Sequence, residues 1–261
     1  MRVLVFRTAE EASESLAEEI LRALARKPDL VLGLATGSTP LSVYRRLARA
    51  HAERGADFSR VRTFNLDEYI DLPETHPQSY RHFMRENFFR HVNIRPENVR
   101  FPPSEGSDLA RRCREFEDAI RSAGGVDIQI LGIGANGHIG FNEPTSSLAS
   151  RTRVKTLTER TLRDNARFYG PGERPPELAA TMGIGTILEA RRILIQAFGP
   201  DKRDAVRAAI EGPVSAFCPA SALQLHESVW FYLDEDSASG LSLRAYYERV
   251  LENDRRMEPR E

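Results

Sequence analysis

Six short apolar runs, at 3–6, 30–35, 61–64, 128–131, 193–198 and 229–233, alternate with amphipathic segments at 9–25, 41–54, 79–91, 109–123, 202–211 and 239–252. Runs of this length bounded by turn residues read as buried strands, and the segments between them carry the 3.6-residue period of helices. Strands that alternate with helices pair in parallel, because each crossover must return to the same end of the sheet. The chain is therefore predicted to be α/β: a mostly parallel sheet with helices on both faces, in one domain over 1–252, followed by a tail at 253–261 that frays.

In such a sheet, ligands bind outside the carboxyl ends of the strands. Three loops qualify: 36–40, 65–69 and 132–144. The first, in LGLATGSTP, places Gly37, Ser38 and Thr39 between a strand and a helix opening near Pro40. Free amides at a helix N-terminus, together with hydroxyls, suit a phosphate; the alternative is plain helix capping by Ser or Thr. No GK[ST] follows, so this is not a Walker loop.

The second loop, FNLDEYI, sets Asp67 and Glu68 at a strand's carboxyl end. A carboxylate in a partly dry crevice can take a proton from carbon if its pKa is tuned. For an isolated Asp the favoured role is instead to cap the next helix or solvate a turn, so Asp67 needs support from its neighbours in space.

The third loop holds Gly132, Gly134, Gly137 and Gly140 around Asn136, His138 and Glu143. GIGANG matches the dinucleotide fingerprint in spacing, but that fingerprint needs a helix to open at once, and Gly140 and Pro144 stand where its first turns would run. His138 and Glu143 are five residues apart, close enough for the carboxylate to orient the ring. An imidazole titrates near neutrality and serves as acid or base.

Of 37 basic residues only Lys27, Lys155 and Lys202 are lysine. Arg167, ending a polar helical stretch, and Lys202, after the strand at 193–198, are the cations best placed for an anion. A net charge of −1 without like-charged blocks gives no support to nucleic-acid or membrane binding. Two distant cysteines, Cys113 and Cys218, and the lack of a signal-like N-terminus or a membrane-length apolar run favour the cytoplasm. No metal-ligand spacing occurs, and no cofactor is expected.

Taken together, LGLATGSTP, TFNLDEY, GIGANGHIGFNEP, SSLASRTRVKTLT and TMGIGTI resemble, in order and over nearly the whole chain, the glucosamine-6-phosphate deaminase family. The resemblance implies a modified Rossmann-like sheet and cofactor-free conversion of glucosamine 6-phosphate and water to fructose 6-phosphate and ammonia. By matching motif it makes Asp67 the base that moves a proton between C2 and C1, and His138 the ring-opening acid and base. Glu143 and Asn136 would support His138, while Arg167 and Lys202 would join the 37–39 loop in binding phosphate. Asn136 is aspartate in some members, and the neutral amide removes a charge near His138. Ser146, Arg153, Lys155 and Tyr246 resemble an effector site for N-acetylglucosamine 6-phosphate, or else serve a subunit contact; the family also implies a homo-oligomer. The alternatives are a 6-phosphogluconolactonase-like enzyme, which needs no base for C2, and a non-catalytic sugar-phosphate sensor.

Overall fold

The computed structural model describes residues 1–166, 169–170 and 172–257. In chain order the elements begin β1 (Arg2–Phe6), α1 (Ala9–Arg26), β2 (Val31–Leu34), α2 (Leu41–Arg54), β3 (Arg62–Asn65), β4 (Asp67–Tyr69) and α3 (Tyr80–Asn87). They continue with β5 (Val99–Arg100), α4 (Leu109–Ser122), β6 (Ile128–Gly132), β7 (Arg153–Thr156), α5 (Glu159–Ala166) and β8 (Leu178–Thr181). The last are α6 (Ile184–Leu188), β9 (Arg192–Ala197), α7 (Arg203–Ile210), β10 (Val229–Asp234), α8 (Glu235–Ala238) and α9 (Arg244–Met257).

Seven strands form one parallel sheet in the order β1-β10-β9-β6-β2-β3-β5. Successive side chains of a strand point to opposite faces, so its inner strands feed two cores. On one face Leu32, Leu34, Ile128, Ile130 and Leu194 pack against Leu16 and Ile20 of α1 and Val43 and Leu47 of α2. On the other, Val31, Leu131, Ile193, Ile195 and Phe231 pack against Phe116 and Ile120 of α4 and Val206 and Ile210 of α7. Burial on both faces is what made these strands read as continuous apolar runs.

Local chemistry sets the helix ends. The Thr8 hydroxyl accepts from the Glu11 N–H (3.2 Å) at the start of α1, with Glu10 and Glu11 in its first turn. Gly55, at φ 68°, closes α2 in the left-handed conformation. The helix expected over 79–91 instead ends at Asn87: Phe88 leaves helical geometry at φ −144° to bury its ring, and a 3-10 turn, Phe89–His91, follows. The segment expected over 239–252 is helical only from Arg244, and α9 runs to Met257, past the position where the tail was expected to begin.

A second, three-stranded antiparallel sheet, β4-β8-β7, lies outside the predicted pattern. In it Thr181 faces Asp67 on one side and Arg153 on the other. Among the described residues no helix is long and apolar enough to cross a membrane.

Candidate active site

The 36–40 loop leaves the buried end of β2 at the carboxyl edge of the main sheet. Gly37 adopts φ 103°, which a side chain rarely tolerates, and so turns the chain directly into α2. Pro40 is the N-cap residue of α2 and no side chain caps it, so Ser38 and Thr39 are not spent on capping. The first turn of α2 holds no acidic residue of its own, though the Glu10 carboxylate of α1 accepts from the Ser42 hydroxyl (2.7 Å). This geometry suits an anion.

Two residues beyond β3, Asp67 and Glu68 take opposite roles because strand alternation points them to opposite faces. Glu68 accepts from the N–H groups of Tyr80 (3.0 Å) and Arg81 (2.9 Å) and from the Ser79 hydroxyl (3.0 Å). It therefore caps α3, as a bland reading of DEY would have it. Asp67 does not: only 6% exposed, it makes no such cap, and burial, followed by the charge of Glu68, pushes its carboxyl up to about 8.

The 132–144 loop after β6 forms no helix at GIGANG, which removes the dinucleotide reading on geometric grounds. It folds on itself: the Gly134 N–H donates to the His138 carbonyl, and the Gly137 N–H to the Gly134 carbonyl, both at 2.9 Å. The His138 ring lies on Gly134, and Gly137, at φ 82°, packs against Cys218. Asn136 Oδ1 accepts from the His138 N–H (3.2 Å), while Asn136 Nδ2 donates to Glu143 Oε2 (2.9 Å).

Glu143 Oε2 lies 3.6 Å from His138 Nδ1, an electrostatic contact too long for a hydrogen bond. The other carboxylate oxygen accepts from the hydroxyls of Thr161 and Thr158. Burial opposes ionisation of Glu143, yet His138, Thr161 and Asn136 hold its carboxyl down to about 2. The carboxylate is thus placed to orient the imidazole ring. Asp67 reaches the same loop from β4, since a Cβ on Gly140 would fall 3.4 Å from Asp67 Oδ2.

Thus Asp67, Asn136, His138 and Glu143 converge on one loop. Lys202 ends a 3-10 turn, Pro200–Lys202, between β9 and α7, at the carboxyl edge that also carries the 37–39 loop. Arg167 lies outside the described residues. Ser146 is buried with an unpartnered hydroxyl, and Arg153 Nη1 donates to Asn142 Oδ1 (2.9 Å) beside the same loop. Lys155 follows on β7, whereas Tyr246 stands on α9, which packs along β1. Among the described residues no group of three or more His, Cys, Asp or Glu could hold a metal ion.

A family model described as glucosamine-6-phosphate isomerases/6-phosphogluconolactonase matches residues 6–231. The chain belongs to this family. Among the family's members, a glucosamine-6-phosphate deaminase from Hahella chejuensis is 54% identical over 250 residues, 96% of this chain and 95% of its own length. One from an Arthrobacter species is 51% identical over 253 residues, 97% of each chain. A solved structure of a monomeric glucosamine-6-phosphate deaminase superposes with a TM-score of 0.89 at 44% identity, covering 92% of this chain and all of the other. The 6-phosphogluconolactonase of Trypanosoma brucei, 22% identical with a TM-score of 0.72 over 92% of this chain and 98% of its own, shares the fold.

Two groups that build the site carry no mark in the sequence: the Thr158 and Thr161 hydroxyls on Glu143, and Asn142 with Thr181. Asn142 lies inside the GIGANGHIGFNEP motif, but its burial and its partners appear only in the fold.

Proposed function

We propose that the protein is a glucosamine-6-phosphate deaminase. The observation that carries the reading is the pairing, at one loop, of a buried carboxylate pushed up to about 8, Asp67, and an imidazole beside a carboxylate held down to about 2, His138 with Glu143. Relatives named glucosamine-6-phosphate deaminase, about half identical along nearly the whole chain, support it.

The chemistry divides between the two groups. The closed sugar has no carbonyl, so a proton must leave the anomeric hydroxyl and another must reach the ring oxygen. His138, its ring facing the Glu143 carboxylate, is suited to that transfer. In the open aldehyde the C2 proton is acidic, and Asp67 as carboxylate removes it, giving an enolamine. Returning the proton to C1 leaves a C2 imine; water adds to it and ammonia leaves, producing the ketose. Asn136 and Glu143 hold His138 in place, and the hydroxyls of Thr158 and Thr161 fix Glu143.

The 37–39 loop, Arg167 and Lys202 bind the substrate phosphate, which is remote from the bonds that change and so acts by orientation. N-acetylglucosamine 6-phosphate is the proposed effector, with Arg153 and Ser146 beside the catalytic loop supporting the assignment and Lys155 following on the same strand. The same reading includes self-association, which the mass of the protein in solution tests.

The discriminating experiment offers the purified protein glucosamine 6-phosphate and 6-phosphogluconolactone separately. Turnover of the amino sugar alone supports the deaminase, turnover of the lactone alone its rival, and binding without turnover of either a sensor.

A further inference from the structure

Asn142, between Phe141 and Glu143, takes no part in the chemistry above, yet its side chain is fully buried and every part of its amide is used. Its Nδ2 donates to the carbonyls of Ile139 (2.9 Å) and Met182 (2.8 Å). Its Oδ1 accepts from Arg153 Nη1 (2.9 Å). A guanidinium has only donors, so it fixes which way the amide faces and directs both Nδ2 hydrogens to the two carbonyls. Among the described residues Arg153 meets no carboxylate; its other partner is the Arg151 carbonyl (3.3 Å).

The two carbonyls belong to the two halves of the site. Ile139 follows His138 directly. Met182 donates its own N–H to the Leu66 carbonyl (2.7 Å), and Leu66 directly precedes Asp67. The tie therefore runs from the backbone beside His138, through the Asn142 amide, to the carbonyl of Met182, and from the N–H of the same residue to the backbone beside Asp67. Thr181 adds a second tie, since its hydroxyl accepts from the Phe141 N–H (3.1 Å).

We propose that Asn142 is a positioning residue that sets the separation of His138 from Asp67, joining the loop after β6 to the small sheet. This rests on the deaminase reading, in which one substrate must meet both groups in turn. Opening the ring at C1 and O5 and moving the proton at C2 require His138 and Asp67 at fixed places around one sugar. A displacement of about 1 Å at such a site costs on the order of 100-fold in rate. The phosphate loop on β2 and α2 is anchored separately, so binding is spared.

The test compares wild type with Asn142→Ala, Asn142→Asp and Asn142→Ser, each checked for folding by circular dichroism. Alanine removes all three bonds. Aspartate keeps the bond to Arg153 but turns an acceptor toward two carbonyls. Serine retains one donor. Alanine and aspartate are expected to lower kcat about 100-fold with KM for glucosamine 6-phosphate within about threefold, and serine to recover part of the loss. Hydrogen exchange supplies a readout independent of turnover: amides at 138–143 exchange faster in Asn142→Ala, while those of β2, β6 and β9 do not. Near-wild-type kcat in either folded variant, or a KM rise matching the fall in kcat, overturns the proposal. If wild type releases no ammonia, the functional reading fails by itself. The exchange experiment then decides the positioning role, and unchanged exchange at 138–143 overturns it.

Discussion

The imidazole of His138 lies directly over the Cα of Gly134: a Cβ built on that glycine would fall 2.2 Å from Cε1 and 2.4 Å from both ring nitrogens. Gly134 is thus a seat for the ring, needed for close approach, since it is not among the residues of positive φ. Gly134→Ala is expected to fold and to push the imidazole off its seat. Activity should fall by about 10²-fold or more, the usual contribution of a placed acid or base, with little change in thermal stability. Steady-state kinetics alongside a melting curve check it.

Asp67→Asn should abolish ammonia release while leaving binding of a substrate analogue intact. The same change should stabilise the fold in a pH-dependent way. In the unfolded chain the carboxyl ionises above its ordinary value of 3.8, but in the folded protein it stays protonated until about 8. The wild-type fold therefore loses stability as pH rises between those values, at about 1.4 kcal/mol per unit, and asparagine does not. Denaturant midpoints of both proteins from pH 4 to 8 should diverge with rising pH; parallel curves would show that Asp67 is not held neutral.

With Asp67 proposed as the C2 base, its active form is the carboxylate; kcat/KM is then expected to fall as pH drops below about 8, the acid limb reporting that group in the free enzyme. Glu143, held down to about 2, remains ionised throughout and adds no limb near neutrality. Protonating Glu143 requires pH well below its ordinary value of 4.5, and the stability it contributes is lost only over that acidic window.

For His138→Gln, the expectation is a larger defect with the cyclic substrate than with an open-chain analogue, because only the first needs its ring opened. Equal losses would assign the imidazole to a later step.

The main sheet was legible because β2, β6 and β9 are buried on both faces and leave uninterrupted apolar runs. The small sheet was not. Its strands Asp67–Tyr69 and Arg153–Thr156 are short and carry polar residues that face the site, so no apolar period marks them. Candidate loops followed from their place after strands, and Asp67, His138 and Glu143 from their chemistry. The split between Asp67 and Glu68 depends on which face each occupies. The bonds of Asn142 join it to Met182, 40 residues away, and no local pattern encodes such a pairing.

Release of ammonia from an amino sugar phosphate at this site is expected to depend on Asp67. The most direct test incubates wild type and Asp67→Asn with glucosamine 6-phosphate and measures ammonium and fructose 6-phosphate in the same sample. Equimolar products are expected from wild type and neither from the variant; no product from wild type, or equal turnover by both, would overturn the assignment of Asp67 as the deaminating base.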